Sequence, residues 1–110
     1  MKHEKPWGHE EWLFVGKSYA VKKLFMKKGE RCSLQYHEHK HECIFVLSGK
    51  LLITLGKDSI VAESGKFLVI EPNAIHRMEG LEDSFYLEAS TPELDDVVRV
   101  SDDYGRSDGS

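Results

Sequence analysis

Between residues 43 and 70 the chain is cut into apolar runs of three to five residues, CIFVL, LLITL, IVA and FLVI, separated by the polar stretches SGK, GKDS and ESGK. Runs this short fit strands buried on at least one face and fall below the length of a core helix. The same rhythm continues on either side. YAVKKLFM, residues 19 to 26, alternates with a period of two, placing Tyr19, Val21, Lys23 and Phe25 on one side, and ends at KKGE, where Gly29 invites a turn. CSLQYH and DSFYLEA repeat the pattern, and SGK between CIFVL and LLITL reads as a hairpin. The result is about eight short strands joined by Gly, Asn, Asp or Pro, an all-β chain whose expected architecture is an antiparallel sandwich or small barrel.

At 110 residues, 40% of them hydrophobic, the chain can build one core but hardly two. A single domain over residues 1–106 is expected, opening with an aromatic segment that carries Trp7 and Trp12 and followed by a fraying tail at residues 107–110. The tryptophans are read first as sealing the core or a subunit interface, and second as walling a ligand pocket. Fifteen Lys and Arg against nineteen Asp and Glu give a formal net charge of -4, which offers no footprint for a nucleic acid polymer but leaves room for a small anionic ligand. Cys32 and Cys43 are too few and too far apart for a disulfide framework or a redox pair, which fits the cytoplasm. No stretch approaches the roughly 20 apolar residues that span a bilayer, so neither secretion nor a membrane partner is expected. Apolar strands such as CIFVL and LLITL would drive association if exposed at a sheet edge, and a homodimer is expected.

Chemistry concentrates in QYHEHKHEC, residues 35 to 43. On a strand His37 and His39 face the same way, about 7 Å apart at their α-carbons, and can converge on one ion. Glu42 has the opposite parity and joins them only if a turn or bulge intervenes near Lys40 and His41, after which Glu42, Ile44 and Val46 share a face. His76, beyond PNAI, is the fourth candidate ligand if its strand crosses beside the first. Three imidazoles and one carboxylate suit one divalent transition metal per chain, manganese, iron, nickel or zinc, rather than calcium.

GERCSLQYHEHKHECIFVLSG, residues 29 to 49, resembles the first cupin motif, and GKFLVIEPNAIH, residues 65 to 76, resembles the second, closing on His76. The resemblance implies a cupin-type antiparallel barrel, or jelly roll, with His37, His39, Glu42 and His76 as metal ligands. Asn73 stands where a glycine turns the chain and tolerates the left-handed conformation that the turn needs. KPWGHEEWL, VKKLFMKKGERCSLQYHEHKHE, HRM and DDVVRVSDDYGR together are similar to the C-terminal isomerase domain of type II mannose-6-phosphate isomerase. In that family the domain often follows a guanylyltransferase domain, so a separate guanylyltransferase is an implied partner. Lys40 replaces the family's usual arginine, and Cys43-Ile44 a common His-Trp pair, so fold and metal transfer more safely than substrate.

The resemblance implies metal-dependent aldose–ketose isomerisation of a phosphorylated hexose, mannose 6-phosphate to fructose 6-phosphate. The alternatives are a non-catalytic cupin that binds a sugar or sugar nucleotide, and an iron-dependent dioxygenase. Isomerisation needs a base within about 3 Å of the transferred proton, and Glu88, His41 and Lys22 are the candidates. Glu88 lies in the alternating strand FYLEA, either outward and ordinary or inward and functional. The pattern around Lys22 favours a solvated face, and His41 points away if the turn begins there. Arg77, Arg99 and Arg106 are the candidate phosphate anchors, because guanidinium groups hold phosphate through paired, charge-assisted hydrogen bonds.

Overall fold

The structure is a computed structural model that describes residues 1–104. Eleven strands run in order: β1 (Lys2–Lys5), β2 (Gly8–Val15), β3 (Ala20–Met26), β4 (Leu34–Tyr36), β5 (Glu42–Ser48), β6 (Lys50–Leu55), β7 (Asp58–Glu63), β8 (Phe67–Ile70), β9 (His76–Gly80), β10 (Ser84–Ser90) and β11 (Val98–Ser101). The count exceeds the expected eight because segments such as KHEK and HRMEG carry no apolar run of their own. Their neighbours supply the pairing. The strands form two sheets, β1-β2-β3-β10-β5-β8 and β11-β4-β9-β6-β7, and every named strand pair is antiparallel. This is the two-sheet jelly roll expected from the sequence. Among the described residues no helix is long and apolar enough to cross a membrane.

The sheets enclose one core. Leu24, Met26, Ile44, Val46 and Tyr86 come from the first sheet, and Leu51, Ile53, Ala62 and Met78 from the second. Parity along β3 inverts the apparent apolar side of the sequence: Ala20, Lys22, Leu24 and Met26 are buried, while Val21, Lys23 and Phe25 are only partly covered. Trp7 is a core residue at 5% exposure. Glu42, Ile44 and Val46 share the buried face of β5, as their spacing requires.

The SGK segment at residues 48–50 is not a hairpin. β5 and β6 lie in different sheets, and the chain crosses between them at Gly49. Gly49 has φ 87°, and a Cβ there would meet Asp83 O at 2.3 Å and Ser84 Oγ at 2.4 Å. The Ser84 hydroxyl also accepts the Lys50 N–H at 2.9 Å, tying the corner to the start of β10. The close hairpin lies one strand later, where Leu55 pairs with Asp58 across Gly56 and Lys57. Asn73 adopts φ 68°, the left-handed turn expected of it.

Gly49→Ala therefore combines an unfavourable φ with backbone overlap. It should cost about 2–3 kcal/mol, read as a lower urea midpoint, whereas an unchanged midpoint would show that the corner relaxes freely.

Candidate metal centre

Three elements bring the site together. His37 follows the end of β4, Glu42 opens β5 and His76 opens β9. Their side chains are no more than 2% exposed. His37 Nε2 lies 3.3 Å and His76 Nε2 3.2 Å from the same oxygen, Glu42 Oε1. The candidate ligand atoms all fall within 4.8 Å of one another.

The opposite ring nitrogens fix the orientation of the rings. His37 Nδ1 is 2.6 Å from the Asp96 carbonyl oxygen, and His76 Nδ1 is 2.9 Å from that of Ala74. A carbonyl can only accept, so each Nδ1 carries a proton and each Nε2 is the ring nitrogen turned toward the carboxylate. His76 Nε2 is buried with no hydrogen-bond partner. Two imidazole nitrogens and one carboxylate oxygen, the nitrogens oriented through Nδ1–H···O=C bonds, fit one divalent transition metal ion.

Glu42 is held well below the usual carboxylate range. Burial opposes this, but the side chains of His37 and His76 and the Lys40 ammonium outweigh it. Lys40 is buried at 4%, and its Nζ stands 3.3 Å from Glu42 Oε2 and 3.3 Å from Glu88 Oε2.

The turn that delivers Lys40 also points His39 outward. Asp96 accepts three backbone N–H groups, from Glu38 at 3.0 Å, His39 at 2.6 Å and Lys40 at 2.9 Å. This clamp bends the chain at residues 38–39, so the period of two does not run through HEH. The expected turn is present but two residues early. His39 is exposed and stands outside the cluster, so of the four expected ligands the structure brings together His37, Glu42 and His76. His41 is exposed as well, with Nε2 3.5 Å from Glu71 Oε2 on the surface, and does not reach the site.

A cavity of about 170 Å³ opens on the cluster, lined by His37, Lys40, Glu42, Lys22, Glu88 and Trp12. Glu88 and Lys22 both point inward, paired across β10 and β3. Burial, then the charge of Glu42, push the Glu88 carboxyl up against the opposing pull of Lys40 and Lys22. Lys22 Nζ lies 3.6 Å from Glu10 Oε1 and 5.0 Å from the centre of the Trp12 ring, while Trp12 Nε1 donates to Glu10 at 2.8 Å. Burial raises the Glu10 carboxyl, but Lys22 and Trp12 bring it below its ordinary value. Trp12 thus walls the pocket, the second of its two readings.

Of the expected phosphate anchors, Arg99 lines the cavity. Arg77 does not. It alternates with the buried His76 and Met78 on β9, donates from Nε to the Cys32 carbonyl at 2.9 Å and lies 3.6 Å from Asp103. Arg106 lies outside the described residues. Glu10 and Lys5 line the cavity without having been singled out in the sequence, and so does Lys40, noted there only as a replacement of the family's usual arginine. For Lys40 the available signal was its even spacing from Glu42.

The two-sheet fold and the inward histidine and glutamate side chains define a cupin. The chain belongs to the Mannose-6-phosphate isomerase C-terminal family, which matches residues 1–102. Over 107 residues it is 33% identical to the mannose-1-phosphate guanylyltransferase of Escherichia coli K12, covering 93% of this chain and 22% of that protein. The Xanthomonas campestris xanthan biosynthesis protein XanB is 31% identical over 108 residues, covering 94% of this chain and 23% of that protein. The chain thus spans less than a quarter of the length of these curated relatives. Among solved structures, KdgF from Halomonas sp. superimposes with a TM-score of 0.81 at 17% identity, covering 87% of this chain and 89% of that one. The Lactobacillus farciminis oxalate decarboxylase formate complex gives 0.77 at 16% identity, over 91% of this chain and 33% of that one. At these identities the likeness is one of fold.

Two outcomes follow for the residues around the metal. Lys40→Met leaves Glu42 and Glu88 without their shared cation, and metal-free protein should lose about 3–5 kcal/mol in urea unfolding; an unchanged midpoint would show that the bridge contributes nothing. Burial raises the Asp96 carboxyl, but the three N–H donors bring it below the ordinary value. Its stabilising clamp is complete above the unfolded value, about pH 4, and lost as pH falls through the folded one. Asp96→Asn should flatten the acid limb of the stability–pH curve below about pH 4, and an identical acid limb would remove the clamp from the account.

Proposed function

We propose that this chain binds a sugar, phosphorylated or nucleotide-linked, at a divalent metal held by the histidine–glutamate cluster. The observation that carries the reading is the cavity itself, where charge-paired Glu10, Lys22, Lys40 and Glu88 lie between Trp12 and the metal ligands. An indole face offers an apolar surface to the C–H side of a sugar ring, and fixed carboxylates and ammonium groups give its hydroxyls acceptors and donors. Arg99 and Lys5, which line the same cavity, provide cationic anchors for a phosphate. The relatives named for guanylyltransferase activity support a setting in sugar-nucleotide metabolism, with a guanylyltransferase as a companion protein or domain.

Turnover is a second reading, favoured by Glu88. A carboxyl pushed up by burial and a neighbouring anion, 3.3 Å from an ammonium, is suited to take and return a proton. In aldose–ketose isomerisation Glu88 would remove the proton from C2 of the open-chain aldose and a proton would return to C1, with no net gain or loss of atoms. Lys40 would keep the carboxylate aimed, and Lys22, its cross-strand neighbour, would limit the charge that builds up in the cavity. A bound divalent ion would stabilise negative charge on the substrate oxygens. Mannose 6-phosphate to fructose 6-phosphate is the specific reaction on this reading.

Outward-facing apolar pairs on β5 and β8, Phe45 with Phe67 and Cys43 with Val69, support a second copy of the chain as partner. A monomer mass by light scattering at micromolar concentration would contradict the dimer.

Calorimetry with mannose 6-phosphate and with a mannose nucleotide, alongside proton NMR of the same mixtures in heavy water, separates the readings. Metal-dependent binding without loss of the C2 proton signal supports the binding module. Loss of that signal with appearance of ketose, abolished in Glu88→Gln, supports the isomerase. Oxygen uptake with ferrous protein would favour dioxygenase chemistry, and no binding of either sugar by folded, metal-loaded protein would overturn the proposal.

A further inference from the structure

The stretch that follows β10, residues 91–104, runs along the cavity, and Leu94, Asp95, Val97 and Arg99 line it. Its backbone pairing is thin. β11 is the edge strand of its sheet, its neighbour β4 is three residues long, and β4 meets β9 in register at a single pair, Gln35 with His76. Ladders this short hold little by themselves, so the bonds at either end decide where the stretch lies.

At the near end the Thr91 N–H donates to the His41 carbonyl at 3.0 Å, and the His41 N–H donates to Thr91 Oγ1 at 2.9 Å. The Asp96 carboxylate adds its clamp on the N–H groups of residues 38–40. At the far end Arg31 donates to Asp103 from Nε at 2.6 Å and from Nη2 at 3.2 Å. The Tyr104 hydroxyl donates to Glu30 Oε2 at 2.5 Å, and its ring packs against the core. Asp96 is also where this stretch meets the metal centre, since its carbonyl accepts His37 Nδ1–H at 2.6 Å.

We propose that residues 91–104 are a strap that closes the cavity, and that strap closure and metal occupancy reinforce each other through Asp96 and His37. With Nε2 committed to an ion, the His37 ring loses its freedom to turn and keeps its Nδ1–H on the Asp96 carbonyl. With the strap closed, the same bond holds Nε2 toward the site, and linkage makes the coupling equal in both directions. The inference rests on the metal centre and not on the choice of sugar.

Cys32 supplies the readout, because it lines the same cavity, is 5% exposed and lies outside the metal cluster. The whole chain carrying Cys43→Ser keeps Cys32 as its single thiol, and manganese(II), which prefers oxygen and nitrogen donors to thiols, is the metal used. Saturating manganese should slow iodoacetamide labelling of Cys32 about fivefold or more. Hydrogen exchange of the β11 amides should slow with it, while the β6–β7 hairpin at the other edge of that sheet changes less than about twofold. Arg31→Gln combined with Tyr104→Phe removes the far latch outside the cavity; it should speed labelling of the metal-free chain about fivefold or more, and manganese should slow it again. Labelling indifferent to manganese, equal slowing of exchange in β11 and the hairpin, or native labelling in the latch variant would each overturn the strap, and the first two are read on the native latch even if the variant fails to fold. Calorimetry of the same samples separates the two levels: no heat of manganese binding would overturn the metal centre and the coupling together, whereas binding with unchanged labelling would overturn the coupling alone.

Discussion

Glu42 carries a carboxylate that is 1% exposed, and an ionised group so deeply placed is tolerable only if positive charge and hydrogen bonds surround it. The surroundings come from distant parts of the chain. His37 arrives from β4, His76 from β9 and Lys40 from the turn between them and β5. Two of these strands belong to one sheet and Glu42 to the other, so the cluster ties the two layers at one end of the core. Because both imidazoles have their Nδ1 committed to backbone carbonyls, they turn Nε2 toward the carboxylate. The arrangement fits a divalent cation, and that fit gives the remaining residues of the cavity their setting.

The floor of the cavity extends this logic across the first sheet. Trp12, Lys22, Glu88 and Ile44 stand in one cross-strand row of β2, β3, β10 and β5. Glu10 and Lys40 flank it, so that each buried carboxylate has an ammonium beside it. Five buried charges, Glu10, Lys22, Lys40, Glu42 and Glu88, are a heavy load for a 110-residue chain. Well-packed apolar residues could fill the same volume at equal or greater stability. Retaining the charges is a mark of a site that recognises a polar ligand, where stability is sacrificed for chemistry.

Much of the fold was legible from local signals. Short apolar runs, the period of two and the turn residues predicted an all-β sandwich or small barrel, the cupin resemblance implied the jelly roll, and the alternation in FYLEA made the inward Glu88 one of two readings. What escaped was set by contacts far away in sequence. The corner at Gly49 resembles a hairpin locally, but Asp83 and Ser84 hold it as a crossing between sheets. Asp96 lies 57 residues from His39, and its carboxylate decides that His39 turns outward and Lys40 inward. No spacing rule within HEHKHE could reveal that clamp. Arg77 escaped differently, because adjacency to His76 on a strand places it on the opposite face.

The central claim is that a metal ion sits where the Glu42 carboxylate meets the two imidazoles. Anomalous diffraction from crystals of manganese-loaded protein, collected on both sides of the manganese edge, tests it most directly. The account predicts a single strong peak about 2.0–2.3 Å from Glu42 Oε1 and both Nε2 atoms, with the His39 ring in solvent. Absence of density among those three groups in fully loaded crystals, or a peak coordinated by His39 on the surface, would contradict it.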